Sequence, residues 1–133
     1  MKNKNYSSKV AWNEQFKVRV RRNASLKHEV IKLSIVLNLL DKYKSNLYWI
    51  RIYTEYSVTN GKICDVYFEN IKTNEIIAYE IQKDISEKWI KETTKIYENW
   101  DKVYFKTDWV LIRELDFTDD IKEIDKKIKE TII

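Results

Sequence analysis

Asp65, Glu80 and Gln82 are the residues whose types and spacing could carry chemistry. They lie in the stretch 63–83, ICDVYFENIKTNEIIAYEIQK, which reads as two short strands joined by a polar turn. Fifteen positions separate Asp65 from Glu80, enough for a hairpin to bring one back to the other. Glu80 and Gln82 are two apart, so on a strand they project from one face. An Asp and a Glu brought close make an oxygen-rich site suited to a hard divalent cation such as Mg2+. Such a cation orients a phosphodiester, activates water and stabilises the leaving oxygen. The competing reading is a surface hairpin with scattered acids.

The elements that must position these residues are legible as patterns. Residues 47–58, LYWIRIYTEYSV, are rich in aromatic and branched side chains and predict a long strand. Asn60-Gly61, the strongest short hairpin signal, follows and holds the only glycine. The strands at 47–58 and 62–69 are therefore expected as antiparallel neighbours, with NIKTN (70–74) turning into a third strand at 75–82. Upstream, Asn23 or Ser25 caps a helix over about 25–43. Leu26, Val30, Leu33, Leu37 and Leu40 form its stripe, and Ile31, Ile35, Val36 and Leu39 widen the apolar side. His28 and Glu29 are polar residues in its first turns; His28 reads as a surface or capping residue. Asp84 or Ser86 caps a second helix marked by Ile85, Trp89, Ile96, Tyr97 and Trp100. Residues 109–115, WVLIREL, predict a fourth strand, and a last helix over 119–131 turns Ile121, Ile124 and Ile128 inward. At the other end, Phe16, Val18 and Val20 alternate with Lys17, Arg19 and Arg21, a strand signal with one basic face. Helix, three-stranded meander, helix, strand and helix pack most economically as a mixed central sheet with helices on both faces.

Composition bounds the class. The 133 residues make one domain, 44% hydrophobic and 35% charged, which excludes a disordered chain. The net charge of +4 is mild, but residues 1–22 hold seven Lys and Arg against the single acid Glu14. This basic arm, Lys17, Arg19, Arg21 and Arg22 included, is expected to meet a polyanion backbone; the rest, 23–133, is the folded domain. Cys64 alone cannot form an internal disulfide and reads as a small core residue. With no transmembrane-length apolar run and no secretory signal, a cytoplasmic protein with no membrane partner is expected. Abundant Lys, Glu and Ile fit either a thermophile or AT-rich coding. The Trp residues fall on apolar stripes and read as core, and Glu69 and Glu75 as solvated residues beside a turn.

The element order, Asp65 in the second strand and Glu80-Ile81-Gln82 closing the third, resembles the PD-(D/E)XK nuclease superfamily of restriction enzymes and archaeal Holliday-junction resolvases. The resemblance covers residues 25–115 and includes Glu29, since a helix-one Glu completes the metal site in many members. It implies an α-β-β-β-α-β core and a DNA endonuclease dependent on Mg2+ or Mn2+. Asp65 and Glu80 would be the metal ligands, with Gln82 and Glu29 beside them. DNA is the implied partner, and a homodimer the implied assembly. Two positions depart from the pattern. Cys64 stands where proline is common, and Gln82 where a lysine orients water or stabilises charge; some active members carry Gln there. A neutral amide orients water by hydrogen bonding but brings no positive charge. Lys83 should face away, and Lys62, at the hairpin tip, is the weaker substitute. Glu55, on the first long strand, is an alternative to Glu29. Two other classes compete with an enzyme: a non-catalytic DNA-binding or assembly protein on the same scaffold, and an interaction protein whose acids are incidental.

Overall fold

The computed structural model of the protein describes residues 15–59, 61–100 and 105–133. Along the chain run β1 (Phe16–Lys17), α1 (Leu26–Lys42), β2 (Ile50–Thr59), β3 (Lys62–Asn70), β4 (Glu75–Gln82), α2 (Glu87–Glu98), β5 (Lys106–Arg113) and α3 (Ile121–Thr131). The strands form one five-stranded mixed sheet in the order β1-β2-β3-β4-β5. The meander β2-β3-β4 is antiparallel, and β1 and β5 add in parallel at its two edges. Gly61 takes φ +74° at the first hairpin, as an L side chain rarely does.

The helices divide between the faces. Ile31, Ile35, Val36 and Leu39 of α1, with Phe117, Ile124 and Ile128, pack on Ile52, Val66, Phe68, Tyr79, Ile81 and Ile112. On the opposite face Tyr97 and Trp100, in and just after α2, cover Cys64, Tyr67, Ile76 and Ala78. Cys64 is fully buried, as its apolar strand predicts, and burial pushes its thiol pKa up. Ser25, not Asn23, caps α1 by accepting from the His28 N–H; Ser86, not Asp84, caps α2; Asp120 caps α3.

Several sequence expectations need correction. Residues 47–49 form a 3-10 turn, so β2 begins at Ile50, and 114–116 likewise end β5 at Arg113. Of the alternating segment 10–21, only Phe16–Lys17 is strand among the described residues, and Phe16, Val18 and Val20 are all exposed; residues 1–14 lie outside them. Glu69 is not solvated: it accepts from Arg51 and from the Tyr67 hydroxyl at 2.8 and 2.7 Å. The orientation of α1 is the largest difference. The four residues expected to widen the stripe are the buried ones, whereas Leu26 and Leu37 of the stripe itself are 78% and 63% exposed. Polar side chains fix that rotation. Glu29 and Lys32 turn in toward the sheet, and Ser34 and Asn38 donate to Asp125 of α3 at 2.6 and 2.8 Å. Ile121, also expected inside, is 61% exposed and sits beside Leu33 and Leu37.

Candidate functional site

The sheet splits where the sequence places its acids. The β3–β4 ladder runs from Asn70↔Glu75 to Val66↔Tyr79 and stops. Beyond it β3 stays paired with β2 to Lys62, and β4 stays paired with β5 to Gln82. The next positions across the fork in that register are Asp65 and Glu80. Asp65 bridges the gap: its Oδ2 accepts the Ile81 N–H at 2.7 Å. Its Oδ1 faces Nε2 of His28, on α1, at 3.1 Å.

On the other side of β3, the pairs Thr54↔Val66 and Tyr56↔Cys64 bracket Glu55 opposite Asp65. Glu55, Asp65 and Glu80 thus form a row across three adjacent strands. Glu55 has φ +48°, a left-handed backbone that costs a side-chain-bearing residue about 1–2 kcal/mol. The strand alternation slips there: Tyr53 and Tyr56, three apart, both pack against the second core.

Helix α1 lays cations between these acids. Glu29, 3% exposed, accepts from Lys32 Nζ at 2.6 Å and from the Arg21 N–H at 2.5 Å, and its Oε2 faces His28 Nδ1 at 2.7 Å. Lys32 is completely buried and also donates to Glu55 Oε2 at 2.9 Å. The other Glu55 oxygen, Oε1, is buried without a hydrogen-bond partner among the described residues. Burial alone would lower the His28 pKa; the hydrogen bonds and charges of Asp65 and Glu29 outweigh it and carry it up to about 9. Burial acts on Glu29 in the opposite sense, yet the Arg21 N–H, Lys32 and His28 hold its carboxyl below the usual range.

Glu80 faces the α2 side. Its Oε2 accepts from the Tyr97 hydroxyl, and Lys62 Nζ lies 3.5 Å from its Oε1. That ammonium also sits 5.1 Å from the centre of the Trp89 ring. At 1% exposure, burial pushes the Glu80 carboxyl up to about 7; Tyr97 and Lys62 pull it back, and the Asp65 charge adds to the rise. Lys62 is therefore the first residue of β3, at the acid, and not a bystander at the hairpin tip.

A cleft of about 360 Å3 opens over the fork, lined by Arg21, His28, Asp65, Gln82, Lys83 and Glu114. Gln82 thus shares a cleft with Asp65, and so does Lys83, against the expectation that it faces away. Glu29 meets the row through His28 and Lys32, while Glu80 is turned to the opposite side. Arg19, Arg21 and Arg22 line a shallow depression of about 290 Å3, and Lys17 is exposed on the edge strand. Sequence reasoning undervalued His28 and did not single out Lys32 or pair Tyr97 with Glu80. A signal existed: His28 and Lys32 stand one turn apart on α1, with Glu29 between them.

Among the described residues, no group of three or more His, Cys, Asp or Glu side chains is arranged to hold a metal ion. Mg2+ needs fewer, being commonly held by one or two carboxylates with water and phosphate completing its shell. Asp65 and Glu80 fit that demand in donor type and number, although Asp65 lines the cleft and Glu80 faces Tyr97 of α2. Metal binding there has to compete with His28 for Asp65 Oδ1 and with Lys62 for Glu80 Oε1. No helix among the described residues is long and apolar enough to cross a membrane. Comparison with protein-family models, curated proteins and solved structures returns no match.

Proposed function

We propose that the protein is a metal-dependent DNA endonuclease built on a restriction-endonuclease-like α-β-β-β-α-β core. The observation that carries this reading is the fork: a sheet that opens between two neighbouring strands with Asp65 and Glu80 opposed at the opening and Gln82 in the cleft above. A row of buried acids interleaved with buried cations costs folding free energy that apolar residues would not. Shifted titratable groups such as His28, Glu29 and Glu80 concentrate at working sites.

In this reading Asp65 and Glu80 would hold Mg2+ or Mn2+, which supplies phosphate polarisation and an acidified water when bound. The Gln82 amide donates and accepts hydrogen bonds and so orients water in the cleft. Lys62, from β3, brings to Glu80 the positive charge that Gln82 lacks. Arg21 and Lys83 at the cleft, with Lys17, Arg19 and Arg22 beyond it, bind the DNA backbone.

One observation favours a second reading, a DNA-binding protein without cleavage. Both Asp65 oxygens and both Glu80 oxygens already meet a partner within the chain, so the acid row is compensated from inside. Incubating the full chain with duplex, single-stranded and branched DNA in Mg2+ or Mn2+ separates the two. The nuclease reading expects cleavage that chelation stops and that Asp65→Asn and Glu80→Gln each abolish. Binding without cleavage by the unaltered chain would replace it with the second reading, and neither binding nor cleavage would remove both.

A further inference from the structure

His28 stands in the cleft with both ends of its ring held. It lies in the first turn of α1, its side chain 12% exposed, and its backbone N–H donates to the Ser25 hydroxyl at 3.0 Å. Nδ1 faces Glu29 Oε2 at 2.7 Å, and Nε2 faces Asp65 Oδ1 at 3.1 Å. Ionised carboxylate oxygens only accept, so both ring nitrogens donate and the ring is an imidazolium. The two contacts are not equivalent. Glu29 is fixed from behind by Lys32 and by the Arg21 N–H, which makes the Nδ1 end an anchor. Asp65 Oδ1 has no other donor among the described residues, and it lies at the open cleft. The Nε2 end is therefore the one that can exchange its partner.

A carboxylate oxygen and a phosphodiester oxygen are alternative partners for such a donor, since both are anionic acceptors. The rest of the cleft favours the phosphate. Arg21 and Lys83 line it beside His28, and the N-terminal end of α1, the positive end of the helix dipole, borders it through Ser25. Its second acid, Glu114, accepts from the Ser25 hydroxyl at 3.2 Å. Lys62 cannot serve the cleft, because it meets Glu80 and Trp89 on the α2 side. We propose that His28 is the substrate-binding cation of this cleft: when DNA binds, its Nε2–H passes from Asp65 Oδ1 to a non-bridging oxygen of one phosphate. This rests on the cleft being a DNA site, which the cleaving and the non-cleaving readings share. The ring pivots about its Nδ1 bond to Glu29 and keeps both protons, so only the acceptor at Nε2 changes. The exchange frees Oδ1, the oxygen that the proposed metal site needs. His28 thus closes the Asp65 carboxylate in the free protein, and the substrate opens it.

The chain holds a single histidine, so its ring signals in nitrogen–proton correlation spectra are identified without assignment. The full, unaltered chain is titrated in turn with short duplex, single-stranded and branched DNA, in chelator so that neither metal nor cleavage enters. The Nε2 signal should move as the DNA saturates, while Nδ1, kept on Glu29, stays nearly fixed. In fluorescence anisotropy, His28→Asn should weaken DNA binding about tenfold, the worth of one hydrogen bond to a charged group. Asp65→Asn should tighten it, because the competing acceptor loses its charge. That gain should be at least about threefold smaller in the His28→Asn background, where there is no imidazolium to release. DNA binding with an unmoved ring overturns the role of His28 and leaves the DNA reading standing, and so does an Asp65→Asn gain of the same size with and without His28. Binding to none of the three DNA forms overturns both.

Discussion

Replacing Glu80 by Gln should stabilise the protein at alkaline pH while removing any cleavage activity. The Glu80 carboxyl is 1% exposed and has its pKa raised from 4.5 to about 7, chiefly by burial. A folded-state pKa above the unfolded one means that the fold prefers the protonated acid. This contribution to stability is fully present below pH 4.5 and is lost as pH rises through 7. At roughly 1.4 kcal/mol per pH unit, holding the ionised form in the fold costs about 3 kcal/mol. Gln has nearly the same shape, its carbonyl can still accept from Tyr97, and it never ionises. The two proteins should therefore have similar stability in acid, diverge between pH 4.5 and 7, and differ by about 3 kcal/mol above about pH 8, the Glu80→Gln protein being the more stable. Urea unfolding at a series of pH values, in chelator so that metal binding does not contribute, measures that difference directly. A difference that does not change with pH, or a Glu80→Gln protein less stable than the parent at about pH 8, would refute the reasoning.

Lys32→Met removes a fully buried cation from between Glu29 and Glu55, and should cost about 3–5 kcal/mol in urea unfolding; a loss under about 1 kcal/mol would mean that the acids find other partners. Gln82→Lys should keep or raise cleavage if Gln82 holds water in a working site, and single-turnover rates decide. Arg19, Arg21 and Arg22 reversed to Glu should weaken DNA binding and make it less sensitive to salt, the logarithmic slope falling by about one for each phosphate no longer neutralised. An unchanged salt slope in fluorescence anisotropy would remove them from the interface.

The three strands of the meander were legible because each had two concordant signals. Residues 63–69 and 75–82 combine branched and aromatic residues with polar turns at either end, and Asn60-Gly61 sets the first hairpin between β2 and β3. The opposition of Asp65 and Glu80 follows from that register. The rotation of α1 was not legible, since both its sides are apolar and periodicity cannot tell which one faces in. What decides is the destination of its polar residues, Lys32 to Glu55 and Asn38 to Asp125, which only the tertiary structure reveals. Lys32 illustrates the limit: a lysine in a helix reads as a solvated residue until two acids are found around it. Glu55 was readable as an acid on a strand, but not its left-handed backbone, because nothing in TEYS marks a break in alternation.

Arg19 and Arg21, between β1 and α1, hold the neighbouring strand and the acid row through their main-chain N–H groups. Arg19 N–H donates to Thr54 Oγ1 and Arg21 N–H to Glu29 Oε1, while the guanidinium groups remain at the surface. Position 21 is thus read twice, by different selective filters. Any residue with an amide hydrogen supports the Glu29 carboxylate equally well, so drift among arginine, lysine, serine or glutamate alters surface charge and leaves the acid row untouched. Proline alone lacks that hydrogen. A library randomised at 19 and 21 should therefore tolerate nearly everything in a screen for folding and exclude proline, even though neither residue buries its side chain.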